Sequence, residues 1–286
     1  MFAMRATLGR IAGALAGALL LGGCQSWLIF EPDRKLHATP ADFPFTIIEV
    51  TVPVRAPDAR LQHLHGWWIP APLPGAKTVL YFHGNDGNVS LCVDEVTPLR
   101  ELQYSVFLVD YRGYGESDGG FPSETSVYQD AHAAWKYLVN DRGIQPAELY
   151  IYGHSLGGAV AIELARRQSD AAGLIVESSF TSIYEMAQLD YRYRVLPVNL
   201  LLNQRFESIR KVPELRLPVL FIHGTADDIV PHSMGEELFA AASEPKRLVS
   251  IEGGKHDHDA AGALFIRDAL TSFAEEMAAR RVSAAR

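Results

Sequence analysis

Residues 148–167 read ELYIYGHSLGGAVAIELARR, and this stretch decides the fold. Glu148 to Tyr152 is an apolar, β-rich run that ends at Gly153. Leu156 to Arg167 is small and apolar, as a helix buried against a sheet should be. Between them, Gly153-His154-Ser155-Leu156-Gly157 fits the pattern G-x-S-x-G in the strand-to-helix context that pattern requires. Such a turn is so tight that side chains at Gly153 and Gly157 would collide with neighbouring backbone. It lifts the serine hydroxyl above the sheet, beside the amide dipoles of a helix N-terminus. An ordinary glycine-rich turn with an exposed serine is the alternative. The strand before and the helix after favour a nucleophile at Ser155.

The same rhythm extends in both directions. Phe45 to Val52 and Leu61 to Ile69 read as early strands that could form a hairpin. Thr78–Phe82, Tyr104–Val109, Leu174–Val176, Pro218–Ile222 and Arg247–Ile251 are further short apolar runs. Helical spacing marks Ser126–Asn140, through Val127, Ala131, Ala134, Trp135 and Leu138, and also Ala260–Arg280. Short buried strands alternating with helices predict an α/β fold with a mostly parallel central sheet flanked by helices. In such sheets ligands bind at the carboxyl ends of the strands, which is where the polar motifs fall. Phe180–Arg216 breaks the rhythm. Its first part, Phe180–Gln204, predicts a small helical insert near the mouth of the site.

A serine hydroxyl needs a base. Downstream, Asp227 or its neighbour Asp228 follows the strand end His223-Gly224, and His256 or His258 follows Gly253-Gly254. Serine, then acid, then histidine is the order expected for this kind of turn. The base takes the serine proton and the acid fixes its tautomer. Two backbone N–H donors should meet the developing oxyanion. They are Leu156, directly after the nucleophile, and Asn85, in the loop after the early strand.

At this point the sequence resembles the α/β-hydrolase superfamily, in particular its serine aminopeptidase-like or lysophospholipase-like branch. The matching pieces are Tyr81–Asn85, Asp110–Gly115, Gly153–Gly158, His223–Pro231 and Gly253–His256, in family order over most of the chain. In that family the acid directly follows a His-Gly-x-x step, which implies Asp227 rather than Asp228. The histidine follows Gly-Gly-x, which implies His256 rather than His258. Asp86 departs from the pattern, since relatives often carry a small residue there.

The expected activity is cleavage of carboxylic esters of lipid or small acyl substrates through an acyl-enzyme, with no metal or cofactor. A peptidase or amidase, and a non-catalytic envelope protein with a binding role, are the alternatives. Other motifs carry less. Asp110–Ser117 lacks phosphate-loop spacing and reads as a structural loop under the site. Asn88-Val89-Ser90 matches a glycosylation triplet that is common by chance. His63, His65, His132 and His232 are scattered, and Cys92 reads as a small buried hydrophobe.

The 286 residues suffice for one large domain, and 48% hydrophobic with 21% charged residues argues against disorder. A net charge of −8 makes nucleic acid an unfavourable partner and argues against electrostatic docking on anionic lipid. Cys24 and Cys92 cannot build a disulfide framework or a zinc site.

Residues 1–23 read as a signal peptide. Arg5 and Arg10 precede an apolar run, Ile11–Leu21, too short for a confident membrane span. Leu21-Gly22-Gly23-Cys24 resembles the bacterial lipoprotein signal, which implies a lipid on Cys24 and attachment to a membrane of the cell envelope. Gln25, rather than an Asp, favours the outer membrane within that family. Simple secretion and a retained anchor helix are the alternatives. The expected organisation is therefore a signal over 1–23, a tether over 24–44 and a hydrolase domain over 45–286.

Overall fold

The computed structural model describes residues 25–284 except 57, 94, 192–196, 258 and 259. Residues 1–23, expected to be a signal, and Cys24 lie outside the described residues. Eight strands form one sheet: β1 (Ile48–Arg55), β2 (Leu61–Ile69), β3 (Thr78–Phe82), β4 (Ser105–Val109), β5 (Leu149–His154), β6 (Gly173–Glu177), β7 (Val219–Gly224) and β8 (Lys246–Ile251). Their order across the sheet is β8-β7-β6-β5-β3-β4-β2-β1. Strands β3 to β8 are parallel, and β4–β2 and β2–β1 pair antiparallel. The predicted hairpin is present, but β1 starts at Ile48 and runs on through Pro53. Proline is tolerated there because β1 is an edge strand, where one side of the backbone needs no donor.

Side chains alternate between the two faces, as the strand period demands. Leu80, Phe82, Phe107, Val109 and Ile151 share one apolar core with α2 (Glu124–Lys136), α3 (Leu156–Arg167) and α5 (His232–Ala241). Val79, Tyr81, Val106, Leu108, Tyr150 and Tyr152 point the other way, toward α1 (Thr97–Glu101) and α6 (Ala260–Ala284). Both faces are thus covered, which explains why the parallel strands read as unbroken apolar runs. The predicted insert holds α4 (Ile183–Leu189) and the short turn Val198–Leu201, and a second turn, Ser208–Lys211, follows it. Among the described residues no helix is long and apolar enough to cross a membrane. The chain leaves β3 for β4 on one side and returns to β5 on the other. That reversal opens a crevice above β3, the place where such sheets bind ligands.

The stretch expected to be a tether is instead woven into the domain. Phe30 is fully buried, and Glu31–Pro32 pairs in parallel with Asp86–Gly87. The Asn88 amide donates to the carbonyls of Asp33 and Lys35 at 3.1 and 2.8 Å, and the Gly115 N–H donates to the Asp33 carbonyl at 2.8 Å. Asn88 is buried in doing so, which removes it as a glycosylation acceptor. Cys92 is buried as expected, and burial pushes its thiol up.

Candidate active site

Ser155 has φ 52° and ψ −119°, a left-handed conformation that strains any residue but glycine. The surroundings hold it there. The Ser155 N–H donates to the Glu177 carbonyl at 2.9 Å, and the Ser179 hydroxyl donates to the Ser155 carbonyl at 2.8 Å. A Cβ on Gly153 would overlap the Gly157 carbonyl, and one on Gly157 would overlap that of Phe82. The turn closes only because both are glycine.

The structure brings Ser155, His256 and Asp227 together. His256 Nε2 lies 3.0 Å from Ser155 Oγ, and its Nδ1 lies 2.8 Å from Asp227 Oδ2. An ionised carboxylate can only accept, so the ring proton belongs on Nδ1 and Nε2 is free to accept from the hydroxyl. Burial alone would raise the Asp227 carboxyl. Hydrogen bonds from His223, His256 and the Val230 N–H outweigh it and hold the group well below the usual carboxylate range. Its other oxygen accepts from the N–H groups of Ile229 and Val230 at 2.9 and 2.8 Å. Asp228 is exposed, and His258 lies outside the described residues.

Asn85 and Leu156 flank Ser155. Leu156 is the first residue of α3, so its amide has no acceptor within the helix. The loop carrying Asn85 is tied down by its carbonyls. That of Asn85 accepts from the Glu31 N–H at 2.8 Å and the Tyr114 hydroxyl at 2.6 Å. That of His83 accepts from the Tyr111 hydroxyl at 3.0 Å. The 110–117 loop therefore supports the site from below, as its sequence suggested.

Two cavities meet at Ser155. One, of about 760 Å³ including space open to solvent, is apolar and takes Leu28, Ile29, Ile183, Met186 and Val230 into its wall. The other, about 1040 Å³ on the same measure, is polar and carries four carboxylates: Glu31, Asp86, Glu95 and Asp257. Among the described residues no lysine or arginine lines it.

Sequence reasoning assigned no role to His154 or Glu31, and read the apolar 27–30 stretch only as a segment packing on the main domain. His154 Nε2 lies 3.1 Å from the His256 carbonyl and donates to it, which steadies the loop that carries His256. Burial lowers the His154 imidazole, but Glu177 and Glu95 outweigh that and leave it above its ordinary value. His223, quoted only as part of a motif, places its Nε2 within 2.9 Å of the Val230 carbonyl and 3.3 Å of Asp227. Among the described residues, His154, His256 and Asp257 form one grouping with the spacing of a metal site. Both ring nitrogens of His256 and Nε2 of His154 have hydrogen-bond partners within the site.

Comparison with known proteins agrees with this architecture. The family model "Serine aminopeptidase, S33" matches residues 74–210. The chain is 30% identical over 269 residues to the alpha/beta hydrolase domain-containing protein WAV2 of Arabidopsis thaliana, covering 85% of this chain and 84% of WAV2. It is 39% identical over 219 residues to the uncharacterized protein Rv2307c of Mycobacterium tuberculosis, 76% of each chain. Among solved structures it is similar to the esterase Pf2001 of Pyrococcus furiosus, with TM-score 0.68, 20% identity, and coverage of 87% of this chain and 98% of that one. It is also similar to a puromycin-hydrolyzing peptidase of M. tuberculosis, with TM-score 0.61, 22% identity, and coverage of 79% and 38%. At such identities the structural likeness shows the shared fold. Fold and sequence together define the class: this chain belongs to the α/β-hydrolase superfamily. It is a hydrolase.

Proposed function

We propose that the protein is a serine esterase that cleaves acyl esters through an acyl-enzyme. Ser155 Oγ attacks the ester carbonyl while His256 Nε2 takes its proton. The N–H groups of Leu156 and Asn85 receive the oxyanion, each contributing about 3–4 kcal/mol to the transition state. Asp227 holds the imidazole in the required tautomer and stabilises its charged form. His256 then returns the proton to the departing alcohol, and a water activated by the same base releases the acid. The observation that carries this reading is the hydrogen-bonded chain Ser155–His256–Asp227 beside an apolar cavity suited to an acyl group. Initial rates on nitrophenyl esters from acetyl to palmitoyl, with Ser155→Ala as control, test it. Equal rates for the two proteins would refute it.

A second reading, an aminopeptidase or amidase, has one observation in its favour. The polar cavity gathers Glu31, Asp86, Glu95 and Asp257 within reach of Ser155, an environment that suits an amine-bearing substrate. Turnover of aminoacyl amides against matched esters separates the two.

The N-terminal reading is part of the proposal. Residues 1–23 are removed, Cys24 carries lipid, and the protein faces the periplasm from the outer membrane. Absence of radiolabelled fatty acid from the wild-type chain, or its presence in Cys24→Ser, would overturn that assignment.

A further inference from the structure

The apolar cavity beside Ser155 opens onto a face crowded with exposed hydrophobic side chains. Trp27 is 70% exposed and stacks on Phe121, with ring centroids 4.6 Å apart. Leu28 and Ile229, both exposed, line the cavity itself. Helix α4 contributes Met186 and Ala187 to the wall and leaves Leu189 exposed at its end. The turn Val198–Leu201 packs on α4 and presents Leu200, 85% exposed. A soluble surface rarely gathers so many large apolar groups around one opening without a partner.

The chain entering this face says what the partner is. Gln25 is buried and pinned to the end of the turn that carries Leu200: its amide donates to the Leu201 carbonyl at 2.6 Å, and the Asn203 N–H donates to its side-chain oxygen at 2.7 Å. Cys24 is the residue before it, and the apolar run Ile11–Leu21 ends four residues away. Four residues of extended chain span at most about 14 Å. Whether membrane attachment is through a lipid on Cys24 or through that apolar run, only a few residues separate it in the chain from Leu28 and Ile29 in the cavity wall.

We infer that this face lies in a lipid bilayer, with Trp27, Leu28, Leu189 and Leu200 inserted in its surface, so that the cavity takes acyl chains directly from the membrane. The substrate class is then a long-chain ester resident in the bilayer. This rests on the esterase reading of Ser155 and on membrane attachment of the N-terminus. The net charge of −8 assigns the docking to apolar insertion rather than to attraction by anionic lipid.

The full chain, reconstituted in phosphatidylcholine vesicles with brominated acyl chains, provides the test. Trp67, Trp68 and Trp135 are buried in the domain at 0%, 6% and 4% exposure, so Trp27 is the tryptophan that lipid can reach. Bromines should quench emission, and Trp27→Phe should remove that quenching. Leu200→Asp, at a position outside the cavity wall, should lower turnover of a vesicle-borne long-chain ester roughly tenfold while leaving a soluble acetyl ester unaffected. Unquenched emission, or equal turnover by Leu200→Asp, would overturn the inference, since tethering alone would leave that variant unimpaired. A dimer that shields Trp27 from both acrylamide and lipid would overturn it too. Quenching without Ser155-dependent hydrolysis of any ester would support the docking and refute the esterase reading instead.

Discussion

The two cavities that share Ser155 are built from different material. The apolar one is walled by the N-terminal segment at Leu28 and Ile29, by α4 at Ile183 and Met186, and by Ile229 and Val230. The polar one is walled by the loop after β3, through Asp86, Leu91 and Glu95, and by His154, His256 and Asp257. The polar side therefore belongs largely to loops at the ends of core strands, and the apolar side largely to peripheral segments laid over them. On the function proposed above, one serine relay is common to both sides, and each side selects substrates of its own kind.

Four experiments can break or sharpen that division, the largest effect first. Asp227→Asn removes the acceptor that fixes the His256 tautomer, and kcat should fall by about four orders of magnitude. Stopped assays on a long-chain ester and on an acetyl ester should show the same fall. Unequal losses would mean that the relay is not shared.

Met186→Trp should fill the apolar cavity. We expect roughly ten- to hundredfold lower kcat/KM on long acyl chains and little change on acetyl esters. Equal losses on both would place the acyl group elsewhere. On the polar side, Glu95→Gln with Asp257→Asn should raise KM about three- to tenfold for an ester with a cationic leaving group. A neutral ester should be unaffected, and salt should mimic the substitutions in the wild type.

The smallest effect is on stability. The Asp227 carboxyl is depressed in the folded state, so its contribution is complete above the unfolded aspartate range near 3.9 and is lost as pH falls through the depressed value. Thermal melts of wild type and Asp227→Asn should differ at neutral pH and converge in strong acid. Because Asp227 stays ionised far into acid, the acid limb of the rate profile should not report this carboxylate.

The polar side was far more legible in the sequence than the apolar side, for a physical reason. Gly153, Gly157 and Gly224 occupy positions where a Cβ would overlap backbone, so the turns they form leave a mark readable within a few residues. The core strands read as apolar runs because both faces of the sheet are covered. Asp227 and His256 follow strand ends at fixed steps. Sequence reasoning alone left Asp228 and His258 open, and family resemblance pointed to the pair that the structure brings to Ser155.

The apolar wall has no such local signature. Residues 25–37 reach the domain through hydrogen bonds spanning 53 to 178 positions, among them Asn88 to Lys35 and Asn203 to Gln25. No periodicity announces these, and prolines at 32 and 40 suggested a tether. Trp27-Leu28-Ile29-Phe30 was the one visible hint, since a linker has no use for four large apolar residues in a row. Met186 and Ile183 were likewise readable only as part of an irregular insert.

Fluorophosphonate labelling, followed by intact-mass and peptide mapping, tests the central claim most directly. The account predicts one adduct per chain, on Ser155, with loss of hydrolysis toward substrates of both cavities. Ser155→Ala should take no label, and His256→Ala should label far more slowly. Labelling at another residue, or hydrolysis that survives full modification of Ser155, would contradict the claim that a single serine serves both sides.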